Sequence, residues 1–280
     1  MAPTNFTLEY ALASDPGQVR PLNEDAIGAR PDLGLFILCD GLGGYNAGEI
    51  AATMAVSAVL TTLAADYEQA RAAGVAFDAR RALTERLVEM NGVIARAAAN
   101  SEAFEGMATT IVVAWVIGDR LWVAHAGDSR LYRFREGVLE GITRDHSFSQ
   151  ELLDAGMVTE EEARVLPSKN LVTRALGAGG EVEPEVHDYP LRVGDVLMLC
   201  SDGLTEMVDD VQIAGAIFAS VPDVQRAAQR LIDMANAAGG RDNVSVIVVR
   251  LAGRAGLEPR RMSVPEPRSS VVPAAASPSG

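Results

Sequence analysis

The spacing of apolar positions changes character along this chain. The run from Ala47 to about Tyr67 predicts a first long helix. In "FDARRALTERLVEMNGVIARAAAN", Leu83, Leu87, Met90 and Ile94 recur at spacings of three and four, the stripe of a second helix. After that the period shortens. "ATTIVVAWVI", "RLWVAHA" and "SRLYRF" are separated only by short Gly-Asp turns, which predicts an antiparallel meander. Later strands are predicted at 195–200 and 243–251, and helices at 148–165 and 209–237. These strands are apolar on both faces: in "RLWVAHA", Leu121 and Val123 alternate with Trp122 and Ala124. An antiparallel sheet usually keeps one polar face. Each sheet here is therefore expected to be covered twice, by helices on one side and by a second sheet on the other.

Composition narrows the function classes. The 280 residues are 48% hydrophobic and 22% charged, enough apolar material for a packed core. A net charge of -14 argues against binding the phosphate backbone of nucleic acid or an anionic lipid surface, so neither nucleic acid nor an anionic membrane surface is expected as a partner. "MAPTNFTLEY" lacks the basic start and apolar stretch of a secretory leader, and "AATMAVSAVLTTLAA" (51–65) is too short to span a bilayer. Cys39 and Cys200 make no disulfide framework and read as small buried hydrophobes, so a reduced, cytoplasmic setting is expected. The division predicted is one domain over residues 1–252 and a disordered Pro/Ser/Ala-rich tail over 253–280.

The candidate chemistry sits where apolar strands end. Asp40 closes the run "LFILC", and three of the next four residues are glycine. Asp202 follows "VLMLCS", Asp128 follows "LWVAHAG", and Asp242 stands just before "VSVIVV". Glu24 and Asp25, in "RPLNED", precede "AIGA". One such acid is a turn former and nothing more. Five segments doing the same is another matter, because strands of packed sheets share edges and their ends can converge. Converging carboxylates raise one another's pKa unless a cation neutralises them. An all-oxygen set suits Mg2+ or Mn2+ rather than zinc, and glycine beside a ligand lets a backbone carbonyl approach the ion.

In this order, "RPLNED", "DGLGG", "ATT", "AHAGDSRLY", "DHS", "SDGL" and "GGRDNVSVIVV" resemble the signature of the metal-dependent Ser/Thr protein phosphatases (PPM, type 2C) in their bacterial single-domain form. The resemblance covers about residues 6–251. It implies an α+β fold, a four-layer α-β-β-α sandwich of two antiparallel sheets flanked by helices. It also implies hydrolysis of phosphoserine and phosphothreonine by direct attack of a metal-bridging water. Asp40 would bridge two Mn2+ or Mg2+ ions, with Asp202 and Asp242 completing the first site and Glu24 and the Gly41 carbonyl holding the second. Asp128, again with Asp202, would suit a weaker third site. Asp25 would orient water, and Arg20 would grip the substrate phosphate with its guanidinium fork. Partners implied are phosphorylated proteins, among them a Ser/Thr kinase and its substrates, met by a monomer.

The chain departs from the family pattern where a histidine often follows the Asp-Gly: Leu42 and Tyr45 stand there, so no side chain is an obvious general acid. The segment often written "HPxRN" reads "LPSKN", within an expected flap at about 147–180. His125, His146 and His187 are too scattered for zinc or a triad. His125 reads as a hydrogen-bonded core residue, and His146 carries no assigned chemistry. Ser129 and Ser201 have no base at hand. Two other classes stay in view. A catalytically silent binding or scaffold module would lack a ligand, whereas every matched position here is filled. A two-metal nuclease would need basic stretches that this chain does not have.

Overall fold

The structure is a computed structural model that describes residues 5–43 and 47–254. Strands are β1 (Phe6–Asp15), β2 (Asp25–Arg30), β3 (Leu35–Leu42), β4 (Ala108–Thr109), β5 (Ile111–Ile117), β6 (Arg120–Ala126), β7 (Arg130–Arg135), β8 (Val138–Gly141), β9 (Glu185–Pro190), β10 (Val196–Cys200) and β11 (Val244–Gly253). Helices are α1 (Ala47–Ala73), α2 (Ala79–Ala99), α3 (Phe148–Asp154), α4 (Glu160–Val165), α5 (Asp202–Thr205), α6 (Asp210–Ser220) and α7 (Val224–Ala237). One sheet runs β1-β11-β10-β7-β8. The other runs β2-β3-β5-β6-β9, with β4 on β3. Every pairing among these named strands is antiparallel.

Alternation along the strands builds the layers. In β3, Leu35, Ile37 and Cys39 face the α1–α2 side, while Phe36 and Leu38 enter the space between the sheets. In β10, Val196, Met198 and Cys200 face α6 and α7, while Leu197 and Leu199 meet the other sheet. Leu121 and Val123 of β6 also lie between the sheets, and Ala124 and Ala126 lie under the helices. Period-2 strands with two apolar faces thus give helix, sheet, sheet and helix in turn.

Several expectations need correction. The three-strand meander is only a hairpin: β5 and β6 pair, but β7 crosses into the other sheet beside β10. The segment 148–165 divides near Gly156 (φ 66°), and α4 begins afresh with a capping box on Thr159 and Glu162. The segment 209–237 divides at Pro222, which cannot continue α6, and Asp223 caps α7. The first helix runs six residues past Tyr67. At 27 residues it is long and apolar enough to cross a membrane, yet half of its apolar window is buried, on β2, β3 and α2. Residues 255–280 of the expected tail, and Tyr45, lie outside the described residues.

Candidate metal centre

Asp25 and Asp40 are direct partners across the β2–β3 ladder, so two candidate acids share one rung. The backbone of Asp40 is held from three directions. Its N–H donates to Thr110 Oγ1 at 2.9 Å, and its carbonyl accepts from the Thr109 hydroxyl at 2.8 Å and the Thr110 N–H at 2.9 Å. Thr110 Oγ1 lies 2.7 Å from Ser129 Oγ, which links this wall to the turn carrying Asp128. The strand does not stop at the charge: Gly41 pairs with Thr109, and its N–H donates to the Glu24 carbonyl at 3.1 Å. A Cβ on Gly41 would come within 2.3 Å of the Gly48 carbonyl oxygen and 2.6 Å of that of Glu24. Only glycine fits there.

Asp202 opens α5 directly after β10, and Asp242 precedes β11, the neighbour of β10, so both reach the same end of the sandwich. Asp128 is buried in the β6–β7 turn. The outer rim is the loop before β2. Asn243 ties it down, accepting the Glu24 N–H at 2.8 Å and donating to the carbonyls of Pro16 and Leu22. Arg20 ion-pairs with Asp242 at 2.7 Å, half exposed. From the flap, Lys169 reaches Glu206 at 3.1 Å, one turn beyond Asp202.

Burial, then the neighbouring carboxylates Asp25, Asp202 and Asp128, pushes Asp40 well above the usual carboxylate range. Asp202 is raised likewise, by burial, Asp128 and Glu206. Burial, with Asp145 next, pushes Asp128 up to about 7. Asp25 is pushed up to about 6 by burial, although hydroxyls of Ser245 and Ser201 stabilise its charge. Glu24 is raised by burial against the pull of Arg20. These are oxygen donors that hold their charge poorly without a cation among them. One further detail fits: Asp25 Oδ1 is buried without a hydrogen-bond partner. The donor set therefore suits hard divalent ions. The acids do not close up by themselves. Among the described residues, the trio of ligating side chains within 4.8 Å of one another is His125, His146 and Glu185, not any three of these carboxylates.

All the acids singled out from the sequence, together with Arg20, belong to this end of the sandwich. The supporting residues were not foreseen. Ser201 is one correction: it has a carboxylate at hand, donating to Asp25 Oδ2 at 2.7 Å while accepting the Ser245 N–H at 3.0 Å. Fully buried, it orients Asp25 and is closed to substrate. Asn243, Thr109 and Thr110 also went unassigned. Asn243 stands beside Asp242 in "RDN", whereas Thr109 and Thr110 have no acid beside them in the sequence and entered only as the "ATT" block of the resemblance. Leu42 ends β3 half-buried. Cys39 and Cys200 are free and fully buried, and burial pushes the Cys200 thiol up to about 12.

Residues 19–243 match the family described as protein phosphatase 2C. The chain is 40% identical over 250 residues to the serine/threonine protein phosphatase PstP of Mycobacterium tuberculosis, covering 89% of this chain and 46% of that one. It thus spans about half the length of that relative. It is 35% identical over 239 residues to the serine/threonine phosphatase stp of Listeria monocytogenes, covering 84% and 93% of the two chains. Among solved structures, the catalytic domain of PstP in complex with two manganese ions superposes with a TM-score of 0.77 at 37% identity, covering 88% of this chain and 99% of that one.

Proposed function

The chain belongs to the protein phosphatase 2C family, and from that premise we propose that it hydrolyses phosphoserine and phosphothreonine in proteins by direct in-line attack of water. No phospho-enzyme forms. The observation that carries this reading is the cluster of acids whose pKa values are raised by burial and by one another at one end of the sandwich. Asp40, Asp202, Asp242, Glu24 and the Gly41 carbonyl would hold two Mn2+ or Mg2+ ions, and Asp128 with Asp202 a third. When bound, the ions supply Lewis acidity that makes water nucleophilic at neutral pH and offsets charge growing on the phosphoryl oxygens.

The chain's own residues do the rest. Asp25 Oδ1, enclosed and without a partner, orients the attacking water by accepting a hydrogen bond from it while Ser201 fixes the other carboxylate oxygen. Arg20 engages Asp242 through Nη2, and the remaining donors of its fork take the substrate phosphate. Monoester hydrolysis requires accelerations of up to about 10²¹-fold. A single acid–base residue contributes about 10² to 10⁴-fold, so a missing histidine at Leu42 is tolerable, and a water held by the metal site would be the proton source for the leaving alkoxide. We place the protein in the reducing cytoplasm, in keeping with its two free thiols, as a monomer opposing a Ser/Thr kinase. A phosphopeptide turnover assay across an Mn2+ titration tests the reading. Turnover should rise from zero with added metal; turnover undiminished by a chelator would sink it, and metal uptake without turnover would favour the silent module.

A further inference from the structure

His125, His146 and Glu185 look first like a metal trio, and the geometry argues against it. The two imidazoles stack at 4.6 Å with an interplanar angle of 4°. An ion between parallel rings would lie far out of both planes, whereas a ring nitrogen binds metal through a lone pair in its plane. His146 is also fully engaged. Its Nδ1 accepts the Gly127 N–H at 3.1 Å, its Nε2 lies 3.1 Å from Glu185 Oε1, and Arg174 Nη1 stands 3.4 Å from the same Nε2.

An Nδ1 that accepts carries no proton, so the ring is the neutral tautomer with hydrogen on Nε2, donated to Glu185. His146 then holds Gly127 twice, because its own backbone N–H donates to the Gly127 carbonyl at 2.9 Å. Gly127 has φ 118°, and a Cβ there would lie 2.6 Å from the Thr110 side chain, so the turn is closed from that side as well. The next residue is Asp128. The carbonyl of His146 in turn accepts the Thr173 N–H, and Ser147 bridges to Val172, tying the base of the flap to the same residue.

We propose that His146 is a positioning residue: held as its Nε2-protonated tautomer between Glu185 and the Gly127 amide, it sets the Gly127–Asp128 turn and so the cation affinity at Asp128. Only the second half of this statement rests on the metal reading. The stacked His125 donates its Nε2–H to the Arg144 carbonyl and backs the ring.

The first measurement is long-range 1H–15N correlation on the wild-type chain at pH 7.5. His146 should show an unprotonated Nδ1 and a protonated Nε2, and the Gly127 amide should exchange slowly with solvent. A protonated Nδ1 or an unprotected Gly127 amide overturns the proposal. The second is calorimetric Mn2+ titration. His146→Asn can present its amide oxygen to Gly127 and should stay within about 3-fold of wild type, while His146→Leu should weaken the weakest Mn2+ step about 10 to 100-fold. Equal titrations for His146→Leu and wild type overturn it. Should His146→Leu fail to fold by circular dichroism, the wild-type tautomer and amide exchange decide. Absence of any Mn2+ uptake by wild type would sink the metal reading instead, leaving the tautomer measurement to judge this one.

Discussion

The inner wall and the outer rim of the acid pocket are built on opposite plans. On the inner wall, Asp25 and Asp40 face each other across a ladder, and each has a hydroxyl or backbone partner that fixes it. On the rim, Glu24 and Asp242 sit on loops, and among the described residues their cationic partner is the half-exposed Arg20. The wall spends buried hydrogen bonds to hold charges that repel each other; the rim leaves its charges in contact with water. Rigidity is therefore concentrated where, on the proposed function, a bridging ligand would have to hold still, and adaptability where a phosphoprotein would arrive.

The largest effect should come from the wall. Asp40→Asn removes a carboxyl raised by burial and by four other carboxylates. Its turnover should fall by more than the roughly 100-fold that loss of a supporting partner costs, while the chelated protein becomes more heat-stable. A variant with wild-type activity, or a chelated variant less stable than wild type, would show that Asp40 is a structural acid and erase the contrast.

Protons provide the next test. Asp25 and Asp128 rise from an ordinary 3.8 to about 6 and about 7. The folded chain then binds more protons than the unfolded chain between those limits. Stability from these groups is full below the ordinary value and is lost as pH rises through 6 and 7. Chelated protein should lose about 4 kcal/mol between pH 5 and 7.5 from these groups, seen as a falling Tm, and saturating Mn2+ should abolish the fall. A chelated Tm that rises over this range would mean the wall is not electrostatically loaded.

Much of this was legible beforehand. Acids closing doubly apolar strands marked the wall, and the same doubly apolar strands required a two-sheet sandwich. The crossing of β7 was not legible, because "AGDS" reads as a tight hairpin turn. In the folded chain the Gly127 N–H goes to His146 instead of to a hairpin partner. β1 was missed because "FTLEYALASD" mixes buried Phe6 and Ala11 with exposed Glu9 and Tyr10, the signature of an edge strand with a weak period. Ser201 and Asn243 fall inside the blocks "SDGL" and "GGRDNVSVIVV", yet their role lies in partners 176 and 219 residues away, which only the fold supplies.

Ser201→Ala sharpens the contrast from the side of the supporting residues. It strips Asp25 Oδ2 of its donor and leaves the Ser245 N–H without an acceptor inside the fold. A loss of about 10 to 100-fold in turnover is expected, with kcat falling rather than KM rising, because substrate never touches this hydroxyl. An elevated KM at constant kcat would place Ser201 in binding instead.

The smallest effect belongs to the rim. Arg20 and Asp242 form an exposed pair, and such pairs contribute about 0 to 1 kcal/mol to folding, so Arg20→Ala should leave Tm almost unchanged. Its effect should appear in KM for a phosphopeptide, because in the proposed role the fork would hold the phosphate in ground and transition states alike, and kcat should stay near wild type. Arg20→Lys should not restore KM, since a single ammonium cannot reproduce two parallel N–H donors. If Arg20→Ala lowered kcat with KM unchanged, the arginine would be acting on the transition state alone, and the rim would prove as tightly committed to the chemistry as the wall.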